Sequence, residues 1–258
     1  MPPDDDIPFS ALRASGGLRA RGIPAQAQSI FTFRDDRFLK LHPDYRAAKA
    51  GDIASALRLV EAMVKPEQIA AAHSRFGSEV TYVPVVAQEQ SGDNAIPDAL
   101  AGYYAREAGG QVTSEIVQTN QAFHTGAGAM ERIANRAFFD GAVESRCRHV
   151  LVDDVTVMGS TLADLADHIQ KGGGEVAGIV TLVNAGRSGV FTPAKAVIRD
   201  IERRFGDAVE NLFRIAPSGL TANEAAYLRN FKDADALRTR RAAAEVEREA
   251  RLRAKGDE

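Results

Sequence analysis

The sequence predicts an α/β protein with a parallel-sheet core and helical extensions on its N- and C-terminal sides. Three stretches predict it. Val80–Val86 is rich in β-branched and aromatic residues and is followed by the polar loop Gln88–Asn94 and a helix-period segment from about Ile96 to Ala108. His149–Val152 is a short apolar run that meets Asp153 and Asp154. A Gly159–Ser160–Thr161 turn follows, then Leu162, Leu165, Ala166 and Ile169 on one helical face. After the helix-ending Gly172–Gly173–Gly174, Val176–Val183 supplies the next strand. Strand–helix–strand units of this kind build parallel sheets with right-handed crossovers, which gather the post-strand loops at the carboxyl edge.

In chain order, residues 1–30 are rich in Pro, Gly, Ala and polar side chains and read as a flexible N-terminal segment. Residues 31–76 read as a helical N-terminal extension. It begins around Phe31, Phe33 and Phe38, and Asp52 caps a helix carrying Ile53, Ala56, Leu57, Val60 and Val64, with Pro66 opening the next one. The core spans 77–190. Within it, alternation over Val112, Ser114, Ile116 and Gln118 predicts a second strand, and Ala137–Val143 a short one. Residues 191–258 form a C-terminal hood or helical extension. Here Ala194–Phe205 reads as a helix, Val209–Ile215 as a strand, and Thr221–Glu224 as a capping box; an Ala/Arg/Glu-rich helix runs from Arg238 to Lys255.

Composition bounds the function. The 258 residues are 45% hydrophobic and 26% charged, which suits a globular protein with a sizeable core. A net charge of −3 gives no general attraction to nucleic acid or to a membrane surface. The lone Cys147 excludes an internal disulfide and points to a reducing compartment. No apolar stretch reaches the ~20 residues of a membrane span, so a cytoplasmic location is expected.

The chemistry concentrates in the third stretch. Ser160 or Thr161 is placed to cap the helix, whose first-turn N–H groups and positive dipole end would then face outward, where an anion binds. Gly159 lets the backbone approach a phosphate closely. Asp153 and Asp154 would repel phosphate and suit sugar hydroxyls or a divalent ion. A polar loop with an ordinary cap would need only the acid pair. A response-regulator receiver would need a phosphoacceptor at a strand end, but Asp200 is flanked by Val197, Ile201 and Phe205 at helical spacing.

The whole string, from the apolar run through paired acids to Gly159, Ser160 and Thr161, resembles the phosphoribosyl pyrophosphate (PRPP) motif of the type I phosphoribosyltransferases. The resemblance implies a Rossmann-like core in which Asp153 and Asp154 hold the ribose hydroxyls. These two would also meet a metal indirectly, through those hydroxyls or water. Val157, Met158, Gly159, Ser160 and Thr161 would cradle the 5′-phosphate. The loop Gln88, Glu89, Gln90, Ser91 and Gly92 would contact pyrophosphate, and Thr119–Asn135, with His124 and Arg132, would form a lid. Within that family, Val83–Pro84–Val85, Gly92, Asn94 and the Arg132–Asn135–Ala137–Phe138 spacing are similar to the ComF-type branch, which is associated with DNA uptake. Two departures stand out. Val157 and Met158 are apolar where most relatives carry hydroxyls or an acid, and the pyrophosphate loop has Glu89 and Asp93 but no Lys or Arg.

The function implied is transfer of the 5-phosphoribosyl group from PRPP to a nitrogenous nucleobase or amine, with Mg²⁺-dependent release of pyrophosphate. The departures keep an alternative open: a catalytically weak PRPP- or nucleotide-binding regulatory or interaction protein, linked to DNA uptake or mobile elements. The resemblance also implies a homodimer.

Overall fold

The computed structural model describes residues 17–86, 88–89, 92–120 and 127–256. Its first strand, β1 (Gln28–Phe33), leads into helices α1 (Arg37–Leu41), α2 (Tyr45–Lys49), α3 (Ile53–Met63) and α4 (Pro66–Phe76). Strand β2 (Thr81–Pro84) precedes a small hairpin, β3 (Gln88–Glu89) and β4 (Gly92–Asp93), and helix α5 (Ile96–Ala108). Short strands β5 (Gln111–Val112) and β6 (Val117–Gln118), helix α6 (Ala129–Ala134) and strand β7 (Phe139–Asp140) follow. The central unit is β8 (Arg148–Thr156), α7 (Ser160–Lys171) and β9 (Glu175–Asn184). The chain then closes with α8 (Lys195–Phe205), α9 (Ala208–Phe213), α10 (Ala222–Leu228) and α11 (Ala234–Gly256).

The main sheet has five strands in the order β1-β9-β8-β2-β5, every pair parallel. Its α/β parallel architecture is the one the sequence predicts. From β2 the chain steps to β5 on one side, then crosses to β8 on the other and continues outward to β9. The connection reverses direction between β2 and β8, and in open α/β sheets that reversal leaves a crevice beyond the carboxyl ends of the two strands.

Both faces of the sheet are covered, which is why β8 and β9 read as nearly continuous apolar runs. Val150, Val152, Val180 and Leu182 pack against Leu39, Leu59, Phe76, Leu100 and Tyr104 of the N-terminal helices and α5. On the other face, Val83, Leu151 and Ile179 pack against Leu162, Leu165, Ala166 and Ile169 of α7. A third cluster joins Met130 and Ile133 to Ile201, Val209, Phe213, Leu220 and Leu228, so α6 belongs to the C-terminal lobe by packing.

Several local expectations change. Phe31 and Phe33 lie on β1 at the sheet edge, in register with Thr181 and Val183, rather than opening a helical extension. From Arg19 onward the N-terminal segment is held: Arg19 bridges to Ile215, and its side chain is fully buried. The strand expected over Val112–Gln118 is broken, because the Thr113 hydroxyl accepts from the Glu115 N–H and turns the chain. Its halves serve different sheets, Gln111–Val112 joining β2 and Val117–Gln118 pairing with Phe139–Asp140. Val209–Ile215 is largely helix. Val209 and Phe213 share one face, and Arg214 ends the turn at a left-handed φ of 56°. Two expected caps hold: Asp52 accepts from the Ser55 N–H, and Thr221 and Glu224 complete a capping box.

Candidate functional site

Strand β8 does not stop at the acids. It stays paired with β9 through Thr156 and Asn184, so Asp153 and Asp154 lie within the strand and their side chains part company. Asp153 lines a cleft with Arg132, Val155, Thr156, Val157, Met158, Gly159, Ser160, Thr161 and Leu162. Asp154 is buried and accepts from Lys49 Nζ at 3.2 Å. Each carboxylate also accepts the N–H of the next residue: Asp154 N–H to Asp153 Oδ1 at 2.9 Å, and Val155 N–H to Asp154 Oδ1 at 2.8 Å. Burial, and next the charge of Asp154, push the Asp153 carboxyl well above the ordinary carboxylate range, while Lys49 pulls it back.

The bend after β8 depends on Gly159, whose φ of 76° is left-handed. A Cβ there would come within 3.0 Å of the Phe191 ring, so backbone alone fits. Gly159 is also the residue that precedes the helix, and no side chain caps α7. This corrects the expected cap. Ser160 instead stands at the first helical position, and its buried Oγ has no hydrogen-bond partner among the described residues. The first-turn N–H groups thus keep their anion-binding potential, and a hydroxyl donor is left over beside them. The cleft is small, about 30 Å³.

The bend is held from behind by the C-terminal lobe. Thr221 Oγ1 donates to the Met158 carbonyl at 2.6 Å, and Asn223 Nδ2 donates to the Val157 carbonyl at 3.2 Å. The Met158 side chain is buried in the cluster of Ile133, Leu220 and Leu228, so the apolar residue in the motif anchors that lobe. Glu224 Oε2 accepts from the Thr221 N–H at 2.8 Å and from Arg19 Nη2 at 2.6 Å, and Arg19 Nη1 donates to the Ser160 carbonyl at 3.1 Å. Asp164 of α7 accepts from Arg136 Nε at 2.8 Å. Two guanidinium groups and two carboxylates form this buried network, so charge is balanced where isolated charge would be costly.

Arg132 brings a cation to the cleft from the last turn of α6, with its Nε donating to the Ala127 carbonyl at 3.0 Å. Burial lowers its pKa and the neighbouring Glu131 raises it; a guanidinium stays charged throughout. Glu131 itself is clamped by Arg251 and Arg248 of α11. The expected lid therefore meets the C-terminal helix here; His124 lies outside the described residues.

Of the expected pyrophosphate loop, Gln88–Glu89 pairs antiparallel with Gly92–Asp93, and Gln90 and Ser91 lie outside the described residues. The hairpin follows β2, across the switch point from β8. Lys49, Thr221, Asn223 and the Arg19 network were not legible as site residues, because each reaches the motif from a distant part of the chain. Among the described residues no group of three His, Cys, Asp or Glu side chains gathers to hold a metal ion. Also among them, no helix is long and apolar enough to cross a membrane. Arg187 is exposed, and Asp200 sits on α8 within reach of Arg203, Arg204 and Arg229, as its helical spacing predicts.

No family model matches the chain. By sequence it is similar to Protein TraN of Escherichia coli, 35% identical over 211 residues, which cover 80% of this chain and 47% of that protein. It is also similar to an uncharacterized protein of Haemophilus influenzae, 31% identical over 131 residues, covering 50% of this chain and 29% of that one. The chain spans less than half the length of either relative. Among solved structures it overlaps an adenine phosphoribosyltransferase from Rhodothermus marinus (TM-score 0.30, 17% identity, 51% of this chain and 87% of that one). A purine phosphoribosyltransferase from Pyrococcus horikoshii overlaps similarly (TM-score 0.29, 14% identity, 62% and 82%).

Proposed function

We propose that this chain binds PRPP and transfers its 5-phosphoribosyl group to a nitrogen nucleophile, releasing pyrophosphate. The observation that carries the reading is the uncapped start of α7. There Gly159, the Ser160 hydroxyl, without a hydrogen-bond partner among the described residues, and the Arg132 guanidinium surround a cleft that Asp153 also lines. An anion suits the first three groups, and a neutral diol suits the fourth. Ribose 5-phosphate carries both at fixed separation.

In the transfer, the C1–O bond to pyrophosphate breaks as the acceptor nitrogen forms its bond to C1, and positive charge develops on the ribose ring. The Gly159–Thr161 turn would fix the 5′-phosphate and Asp153 the ribose hydroxyls, so that orientation supplies much of the rate. Val157 offers no base, and the acceptor's proton would pass to solvent or to the departing pyrophosphate. Mg²⁺ would fit this donor set only as an ion carried in by the substrate, and Asp153, the acid on the cleft, would meet it through water or ribose hydroxyls. Bound there, it supplies charge neutralisation.

A second reading, PRPP binding without efficient transfer, is favoured by one specific observation: Asp154 is engaged by Lys49, leaving one acid of the pair on the cleft. The test is pyrophosphate release from Mg-PRPP across a panel of nucleobases and amines. Acceptor-dependent release supports transfer. Tight PRPP binding with no release on any acceptor supports the second reading, and neither binding nor release overturns both.

A further inference from the structure

Three donors reach the bend after β8 from the two ends of the chain, and each takes a carbonyl. Asn223 Nδ2 donates to that of Val157 at 3.2 Å, Thr221 Oγ1 to that of Met158 at 2.6 Å, and Arg19 Nη1 to that of Ser160 at 3.1 Å. A peptide unit is planar and trans, so its N–H points opposite to its C=O. Fixing these carbonyls therefore fixes the N–H groups of the residues that follow them: Met158, Gly159 and Thr161. Those three residues line the cleft, whereas none of the donors is among the described residues that do. The donors hold the bend from its far side, and the amides are turned toward the cleft.

The donors are themselves anchored. Arg19 is fully buried, with Nη2 on Glu224, and Asn223 Oδ1 accepts the Ser188 N–H at 2.9 Å, so one amide side chain spans the bend and the loop after β9. Gly186 leaves room for it, since a Cβ there would lie 2.5 Å from Asn223 Nδ2. The Ser160 Oγ on the same cleft, buried and without a hydrogen-bond partner among the described residues, points to a ligand independently.

We propose that Arg19, Thr221 and Asn223 are positioning residues, which aim the N–H groups of Thr161, Gly159 and Met158 at the 5′-phosphate. Each donor also polarises the peptide it holds, which strengthens the N–H at the other end. The device accommodates the apolar Val157 and Met158, because backbone rather than side chain meets the anion. The inference rests on the PRPP reading and assigns residues from outside the motif to its phosphate half.

With four methionines in the chain, ¹⁵N-methionine labelling of the full protein gives a simple amide spectrum. On titration with ribose 5-phosphate, the Met158 amide proton is expected to move downfield while that of Met63, on α3, stays in place. Asn223→Ala, Thr221→Val and Arg19→Gln are each expected to weaken ribose 5-phosphate by about three- to tenfold, part of one charge-assisted hydrogen bond. Asn223→Ala should also shrink the Met158 shift at saturation, and Thr221→Ser should restore the affinity that Thr221→Val loses. A merely structural role would lower the melting temperature and leave both readouts of the folded variant unchanged. A folded variant that binds as tightly as the wild type overturns the role of the residue replaced, and a Met158 amide unmoved at saturation in the wild type overturns the proposal whether or not the variants fold. If the wild type does not bind ribose 5-phosphate, the underlying reading fails instead.

Discussion

Thr221 and Met158 lie 63 residues apart, yet the hydroxyl of one donates to the carbonyl of the other at 2.6 Å. Thr221 also begins α10 by accepting the Glu224 N–H, so one hydroxyl fixes both the C-terminal lobe and the bend after β8. The bend is therefore shaped by residues far outside the motif.

Replacing Thr221 with Val should cost about 1–2 kcal/mol in urea unfolding, since it removes a helix cap and a buried hydrogen bond together. Thr221→Ser should recover most of that loss. If Thr221→Val unfolds like the wild type, the support given to the bend is not energetic.

Gly159→Ala should be worse in kind. Strain from the left-handed backbone, about 1–2 kcal/mol, adds to the approach of the new Cβ to Phe191 at 3.0 Å. Ribose 5-phosphate binding should be lost even in conditions where circular dichroism shows the variant folded.

Asp153→Asn should separate stability from binding. The folded carboxyl titrates above its unfolded value of about 3.9. The folded state therefore holds the proton more tightly, and stability falls as pH rises from about 4 through the folded pKa. Asp153→Asn lacks that penalty. In melting curves across a pH series its advantage over the wild type should be absent below about pH 4, grow through that window and persist at neutral pH, while ribose 5-phosphate binding weakens. A variant less stable than the wild type at neutral pH would contradict the direction assigned to Asp153.

The local parts of this molecule were legible from sequence because their causes are local. An apolar run, twin acids, a glycine bend and a 3.6-period face identify β8 and α7, and Asp52–Ser55 and Thr221–Glu224 are caps complete within four residues. Strand β1 was missed because Gln28 and Ser29 dilute its apolar signal and its partner, β9, lies about 150 residues on. Lys49–Asp154 and Arg19–Glu224 were invisible for the same reason: nothing near either lysine or arginine marks its partner. Met158 looked like a lost hydroxyl and is a packing anchor, which only the C-terminal lobe explains.

Glu131→Gln tests the link between α11 and α6. Arg248 and Arg251 would lose a buried carboxylate, at a cost of about 2 kcal/mol or more. Arg132, the next residue along α6, should lose its fixed approach to the cleft, and phosphate affinity should fall several-fold. Unchanged affinity would detach α11 from the site.

The central claim is that the bend between β8 and α7 grips a sugar phosphate. Calorimetric titration of the full chain with ribose 5-phosphate, alongside ribose and the Gly159→Ala variant, tests it most directly. Saturable one-to-one binding of ribose 5-phosphate, absent for ribose and abolished in Gly159→Ala, is the result predicted. No binding by the wild type, or equal binding by the variant, would contradict it.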